Sequence, residues 1–285
     1  MKKIYLNISN KIDETTLHMY ELVNNVATAH DIPFFIIGAS ARDLILLYGY
    51  GLKNQRITKD IDIAIQVSTW QEFDKLKHAF IQTGRFKSTS TNHRLVNTDY
   101  NLPLDIIPFG EIEEKNHKIT WPSGHENKMT VIGFKEAFKN SLLIRLRMDP
   151  ELDIPVVSLQ FMVVLKLVAW SERSPQGKKD GIDLAYIIKN YLNAGNKEQI
   201  LSGEHSDLLD DNFDFEISGA RLLGRHISEV ISLEAKKFLI NLLTYEIENN
   251  NQNKLCEDMT VFNNPDQYEK NLALLKALSI GLNEK

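Results

Sequence analysis

Asp60 and Asp62 alternate with isoleucines in the run "TKDIDIAIQV". In an extended chain, residues two apart point the same way, about 6.5–7 Å from each other. The two carboxylates therefore share one face while Ile61, Ile63 and Ile65 turn to the core. Like charges side by side repel. They are tolerated when solvated, when met by basic groups such as Lys59 or Arg56, or when a divalent cation lies between them. A third carboxylate, Asp105 in "LPLDIIPFG", lies on another strand-like run able to pair beside the first. Carboxylate clusters that hold two metal ions about 3.5–4 Å apart carry out phosphoryl transfer.

Upstream, "GASARD" follows the apolar run "FFII" and opens a helical stretch. A helix start presents backbone N–H groups and a positive dipole end, which suits an anion. Gly38, Ala39 and Ser40 are small enough for a polyphosphate to approach the backbone, and the Ser40 hydroxyl could donate to it. A tight strand-to-helix turn wants small residues in any case. Arg42 could clamp phosphates, with Asp43 either orienting it or serving as a helix-start acid. Further on, Lys166 interrupts "FMVVLKLVAW", and Arg173 follows two helical turns later on the same face. A lysine inside an apolar run must snorkel outward or find an anion, either a triphosphate or a carboxylate. Lys178, Lys179, Asp180 and Asp183 come next; read blandly, they are a solvated helix start with local ion pairs.

Several elements must position these groups. Apolar spacing predicts a helix over 13–30 with Asp13 as its cap, and Pro33 separates it from a buried strand at 34–37. The helix from "ASARDLILLYG" closes at Gly49 or Gly51, and 61–67 is a strand. Ser68 and Gly84 bracket another helix. Strand-like pieces follow at 85–90, 92–98 and 102–109, and "HKITWP" with "KMTVIG" forms an added hairpin. After about residue 133, "FKEAFKNSLLIRL" and the later segments carry helical periodicity, while "ENNNQNK" reads as an exposed tip. The expectation is an α+β chain: a mixed sheet flanked by helices over 1–140, then a mostly helical domain over 141–285, joined near "MDPELDIP".

Composition narrows the class. The chain has 285 residues, 43% hydrophobic and 25% charged, enough to bury a substantial core. One cysteine, Cys256, excludes an internal disulfide and points to a reducing compartment. Neither a signal-peptide core nor about 18 uninterrupted apolar residues is found, so a cytoplasmic protein without a membrane span is expected. The net charge of -5 lacks the global basic footprint of a nucleic-acid binder, leaving Arg145, Arg147, Lys178 and Lys179 as a candidate local track. Arg221 and Arg225, one helical turn apart, read as ordinary helix surface.

The order strand, small turn, helix, strand with Asp60 and Asp62, later strand with Asp105 resembles the DNA polymerase beta-like nucleotidyltransferase superfamily over residues 34–110. Gly38 to Ser40 stand where that superfamily has Gly-Gly or Gly-Ser, with Ala39 displacing the second small residue by one place. The gap to the paired aspartates is also longer than in many members. The resemblance implies a nucleotidyltransferase fold in the first domain. It also implies two Mg²⁺ ions (or Mn²⁺) on Asp60, Asp62 and Asp105, with Asp105 helping to activate the incoming hydroxyl. "ARDLIL…TKDIDIA" is similar to the head of tRNA CCA-adding enzymes, but their Arg-Arg-Asp…Asn-Ala segment is missing between 85 and 110.

Over about 156–192, "LKLVAWSERSPQGKKDGIDLAYII" resembles the abortive-infection toxin nucleotidyltransferases of the AbiEii/AbiGii group. That resemblance implies that Lys166, Arg173, Lys178 and Asp183 face the catalytic cleft. The basic ones would join Gly38, Ser40 and Arg42 on the NTP phosphates. The implied activity is transfer of a nucleoside monophosphate from an NTP to a hydroxyl acceptor, with release of pyrophosphate. Toxin relatives imply tRNA or other RNA as acceptor and a cognate antitoxin as partner. Other branches modify aminoglycosides or proteins, and a degenerate relative would bind a nucleotide or partner without turnover.

Overall fold

A computed structural model describes residues 4–53, 58, 60–122, 128–173, 178–209, 213–248, 253–261 and 264–284. Arg56, Lys59, residues 174–177 and most of the "ENNNQNK" tip lie outside these. The chain divides into two units, Met1–Ser158 and Leu159–Lys285.

In chain order the first unit comprises β1 (Ile4–Asn7), α1 (Glu14–Ala29), β2 (Phe34–Ile37), α2 (Gly38–Arg42), β3 (Ile61–Gln66) and α3 (Trp70–Gln82). Then come β4 (Phe86–Ser88), β5 (Arg94–Asn97), β6 (Pro103–Phe109), β7 (Lys118–Thr120), β8 (Lys128–Thr130), α4 (Phe134–Lys139), β9 (Leu142–Met148) and β10 (Glu151–Val156). Eight strands form one mixed sheet in the order β1-β9-β10-β2-β3-β6-β5-β4, and β7 pairs with β8 as the expected separate hairpin. Central β2 is buried at all four residues, as an interior strand covered on both faces requires.

Local signals set the helices. Asp13 caps α1 by accepting from the Thr16 amide at 3.0 Å. Thr69, one residue past the predicted Ser68, caps α3 through the Glu72 amide, while the Glu72 carboxylate accepts from the Ser68 amide at 2.7 Å. This reciprocal arrangement satisfies two otherwise orphaned donors. α2 continues as a wider π-type helix through Asp43–Gly49.

The structure moves the expected domain junction. Residues 142–156, read from sequence as the start of the helical part, form the antiparallel pair β9–β10. β9 lies parallel to β1, an unpredicted strand, and β10 lies parallel to β2, so both belong to the sheet. The reason lies in the period. Ile144 and Leu146 are buried while Arg145 and Arg147 alternate with them, a two-residue rhythm that follows directly on the short helix α4. The compact unit accordingly ends at Ser158 rather than residue 140.

The second unit is helical, as expected: α5 (Leu159–Arg173), α6 (Lys178–Lys189), α7 (Lys197–Leu201), α8 (Phe215–Val230), α9 (Leu233–Glu248), α10 (Lys254–Met259) and α11 (Pro265–Asn283). Among the described residues, no helix is long and apolar enough to cross a membrane.

Candidate active site

One row of residues runs across four adjacent strands of the first unit. Ile37 at the end of β2 is level with Asp62 on β3, Asp62 is level with Asp105 on parallel β6, and Asp105 is level with Arg94 on antiparallel β5. Cross-strand partners project from the same face of a sheet. Asp62 and Asp105 are thus nearest neighbours on adjacent strands, the arrangement the spacing could only suggest. Asp60 immediately precedes β3 and is half-buried.

Gly38 follows Ile37 and so abuts Asp62. Its φ of +70° lies in the left-handed region, which favours glycine. A Cβ added there would overlap Asp62 Oδ2 and lie 2.8 Å from Asp62 Cγ. The glycine therefore makes room for a carboxylate of this same chain, a reason the sequence did not reveal. No side chain caps the first turn of α2. Ser40 is buried, and its hydroxyl donates to the Ile37 carbonyl at 3.2 Å.

Arg42 has no exposed surface, and its Nε and Nη2 donate to Asp43 Oδ1 at 2.9 and 2.7 Å. The Thr58 amide donates to the other oxygen of Asp43 at 3.4 Å. A guanidinium so enclosed fastens the start of this helix through Asp43 rather than presenting itself to a phosphate. The expected phosphate clamp is corrected on that ground.

Beside Asp60 opens a cavity of about 460 Å³. Acidic groups of Asp13, Asp43 and Asp60, the hydroxyls of Ser40 and Thr58, and Tyr20, Tyr48 and Tyr100 are among the residues that line it. Burial pushes the Tyr20 hydroxyl's pKa up against the opposing effect of its hydrogen bond to Ser40, and the charges of Asp43 and Asp62 push the same way as burial. Tyr48 is raised as well, by burial first and then by Asp13 and Asp43. Both phenols stay protonated at neutral pH. None of these tyrosines stood out in the sequence, because only folding gathers them.

Arg94 is the other residue that sequence reasoning missed. Its Nε and Nη2 donate to Asp105 Oδ1 and Oδ2 at 2.7 and 2.6 Å, a two-pronged pairing that uses both oxygens. The Asp105 hydrogen bonds hold the guanidinium above its ordinary pKa, with further support from the charges of Asp105, Asp60 and Asp62. Only the register of β5 against β6 reveals this partner; "NHRLVN" carries no signal for it.

Asp60, Asp62 and Asp105 offer only carboxylate oxygens, the donors preferred by Mg²⁺ and Mn²⁺. Among the described residues, no three His, Cys, Asp or Glu side chains stand close enough to ligate one ion together. The donor chemistry fits a hard divalent cation, with Asp105 turned to Arg94.

The remaining predicted residues belong to the second unit. Lys166, 7% exposed, donates to Asp183 at 2.7 Å and to Asp180 at 3.3 Å. Arg173 is largely exposed and reaches Asp180 at 3.5 Å, and Lys178 and Lys179 are exposed at the start of α6. The anion that the buried lysine needed is thus supplied from within the chain. In the first unit, Arg145 pairs with Asp153 and Glu151, and Arg147 pairs with Glu21, so acidic partners meet both arginines of the candidate track. Arg221 and Arg225 converge on Glu284.

A mixed sheet that sets a small strand-to-helix turn against Asp62, level with Asp105, is the arrangement expected of a nucleotidyltransferase. Residues 22–207 match the family described as nucleotidyl transferase AbiEii toxin, type IV TA system, and the chain belongs to that family. Weaker likenesses extend to solved structures. One is an antigenic nucleotidyltransferase-like protein from Paracoccidioides brasiliensis, 14% identical over 69% of this chain and 90% of that one, with a TM-score of 0.38. Another is JHP933 from Helicobacter pylori, 13% identical over 95% and 93% of the two chains, with a TM-score of 0.31. A third is a Thermotoga maritima CCA-adding enzyme complexed with tRNA, 12% identical over 92% and 66%, with a TM-score of 0.26. No curated protein matches the chain.

Proposed function

We propose that this nucleotidyltransferase moves a nucleoside monophosphate from an NTP to a hydroxyl of an RNA acceptor, with a divalent cation held by Asp60, Asp62 and Asp105. The observation that carries the reading is that Asp62 on β3 is level with Asp105 on β6, with Gly38 packed against Asp62 and Asp60 one step outside β3. In the reaction, the acceptor oxygen attacks the α-phosphorus as the bond to the β-phosphate oxygen breaks, and pyrophosphate leaves. Mg²⁺, when bound, supplies charge neutralisation at the phosphates. Asp105 takes the proton of the attacking hydroxyl. The backbone from Gly38 to Ser40, at the uncapped start of α2, seats the β- and γ-phosphates.

The cavity beside Asp60 supports a sugar-and-base occupant, because hydroxyl groups line it together with three tyrosines whose faces can stack on a base. Lys178 and Lys179 are exposed cations available to a phosphate backbone, and a cognate antitoxin is the expected protein partner. A polycationic aminoglycoside is a second reading, favoured by Asp13, Asp43 and Asp60 on the cavity wall.

The test incubates the full chain with each α-labelled NTP, Mg²⁺, and either total RNA or an aminoglycoside panel. Label should enter RNA, and Asp60→Ala or Asp62→Ala should abolish it. Label on the drug alone selects the second reading. Full transfer by both variants removes the aspartates from the chemistry.

A further inference from the structure

Asp105 is the carboxylate that the proposed chemistry asks to face both metal and acceptor, yet its two oxygens are occupied by Arg94 at 2.7 and 2.6 Å. The Arg94 side chain is 37% exposed and that of Asp105 12%, so the pair is buried mainly on its acidic side. Strand pairing sets it there. Arg94 and Asp105 are level across β5 and β6, and Asp62 is level with Asp105 on the other side. The Arg94 guanidinium thus lies at the end of a row containing two of the three acids, within electrostatic reach of the third.

Resting on the metal reading above, we propose that Arg94 is a stand-in for the divalent cation: it pairs with Asp105 while the metal is away and competes with the metal for that carboxylate. The argument is one of competition. A guanidinium held on both oxygens of Asp105 takes one lone pair of each and draws on the same negative charge, so an ion binding that carboxylate competes with the pairing. The positive charge of Arg94 interacts favourably with Asp105, Asp60 and Asp62 and so offsets part of the repulsion between neighbouring acids without an ion. Arg94 is therefore a positioning residue that sets how much divalent cation the site needs. Once released, its guanidinium is free to meet a substrate phosphate.

Titration with Mn²⁺ alone tests this, with free ion counted by electron paramagnetic resonance and melting temperature read in the same samples. Wild type, Arg94→Ala, Arg94→Lys and Asp62→Ala are compared as full chains. Removing the competitor should tighten Mn²⁺ binding by about 10-fold in Arg94→Ala, on the scale of a lost charged hydrogen bond. The same variant should melt lower than wild type without Mn²⁺ and regain most of the difference with it. Arg94→Lys keeps the charge but not the fork and should fall between the two. It also keeps the test open should the alanine variant fold poorly. Unchanged or weaker Mn²⁺ binding in both Arg94 variants, with Asp62→Ala losing binding, overturns the stand-in role and leaves the metal reading intact. Equal binding by wild type and Asp62→Ala, or none by wild type, overturns both.

Discussion

Replacing Gly38 with alanine separates two demands made at one position. The backbone sits at φ +70°, and a side chain there would collide with the carboxylate of Asp62. Forcing a left-handed conformation on an L-residue costs about 1–2 kcal/mol. At about 2–4 °C per kcal/mol for a unit of this size, melting should fall by roughly 2–8 °C. The collision adds a second effect. Asp62 Cγ is 2.8 Å from the new Cβ position, so the carboxylate must leave the place it now holds beside Asp105. A displacement of about 1 Å in a reacting constellation costs on the order of 100-fold in rate.

Gly84 provides the control, since its φ is +74° and an added Cβ would meet nothing within 4 Å. Gly84→Ala should lower melting by a similar amount and leave transfer intact. The assay pairs thermal unfolding with label transfer from NTP for both variants. If both lose stability equally and both keep full transfer, Gly38 has no part in placing Asp62, and the account of the row fails.

Two further outcomes follow from the second unit. Lys166→Met removes the buried ammonium that pairs with the carboxylates of Asp180 and Asp183, whose side chains are 13% and 3% exposed, and should cost about 3–5 kcal/mol in denaturant unfolding. A loss below about 1 kcal/mol would show that the triad is not closed to solvent. His226 has its pKa lowered to about 4 by burial first, then by His205 and Arg225, and its Nδ1 lies 2.6 Å from the Tyr191 hydroxyl. The neutral ring is the folded form, so its contribution to stability is complete above about pH 6.5 and is lost as pH falls toward 4. His226→Asn should flatten unfolding free energy over that window, and an unchanged slope would place the titration elsewhere.

Residue type and spacing alone marked Asp60, Asp62, Asp105 and the Gly38 turn, because a two-residue period puts alternating acids on one face and small residues mark a tight strand-to-helix turn. The helical periods of the second unit were legible for the same reason. A period says nothing about which strands become neighbours. Register placed Asp62 level with Asp105 and brought in Arg94 from an unremarkable stretch. Tertiary packing sealed Arg42 inside, gave Lys166 its two aspartates, and drew Tyr20, Tyr48 and Tyr100 to one cavity. Sequence carries local geometry through chain connectivity, whereas the partner of a charge is set by contacts between residues far apart along the chain, which exist only once the sheet and helices have closed.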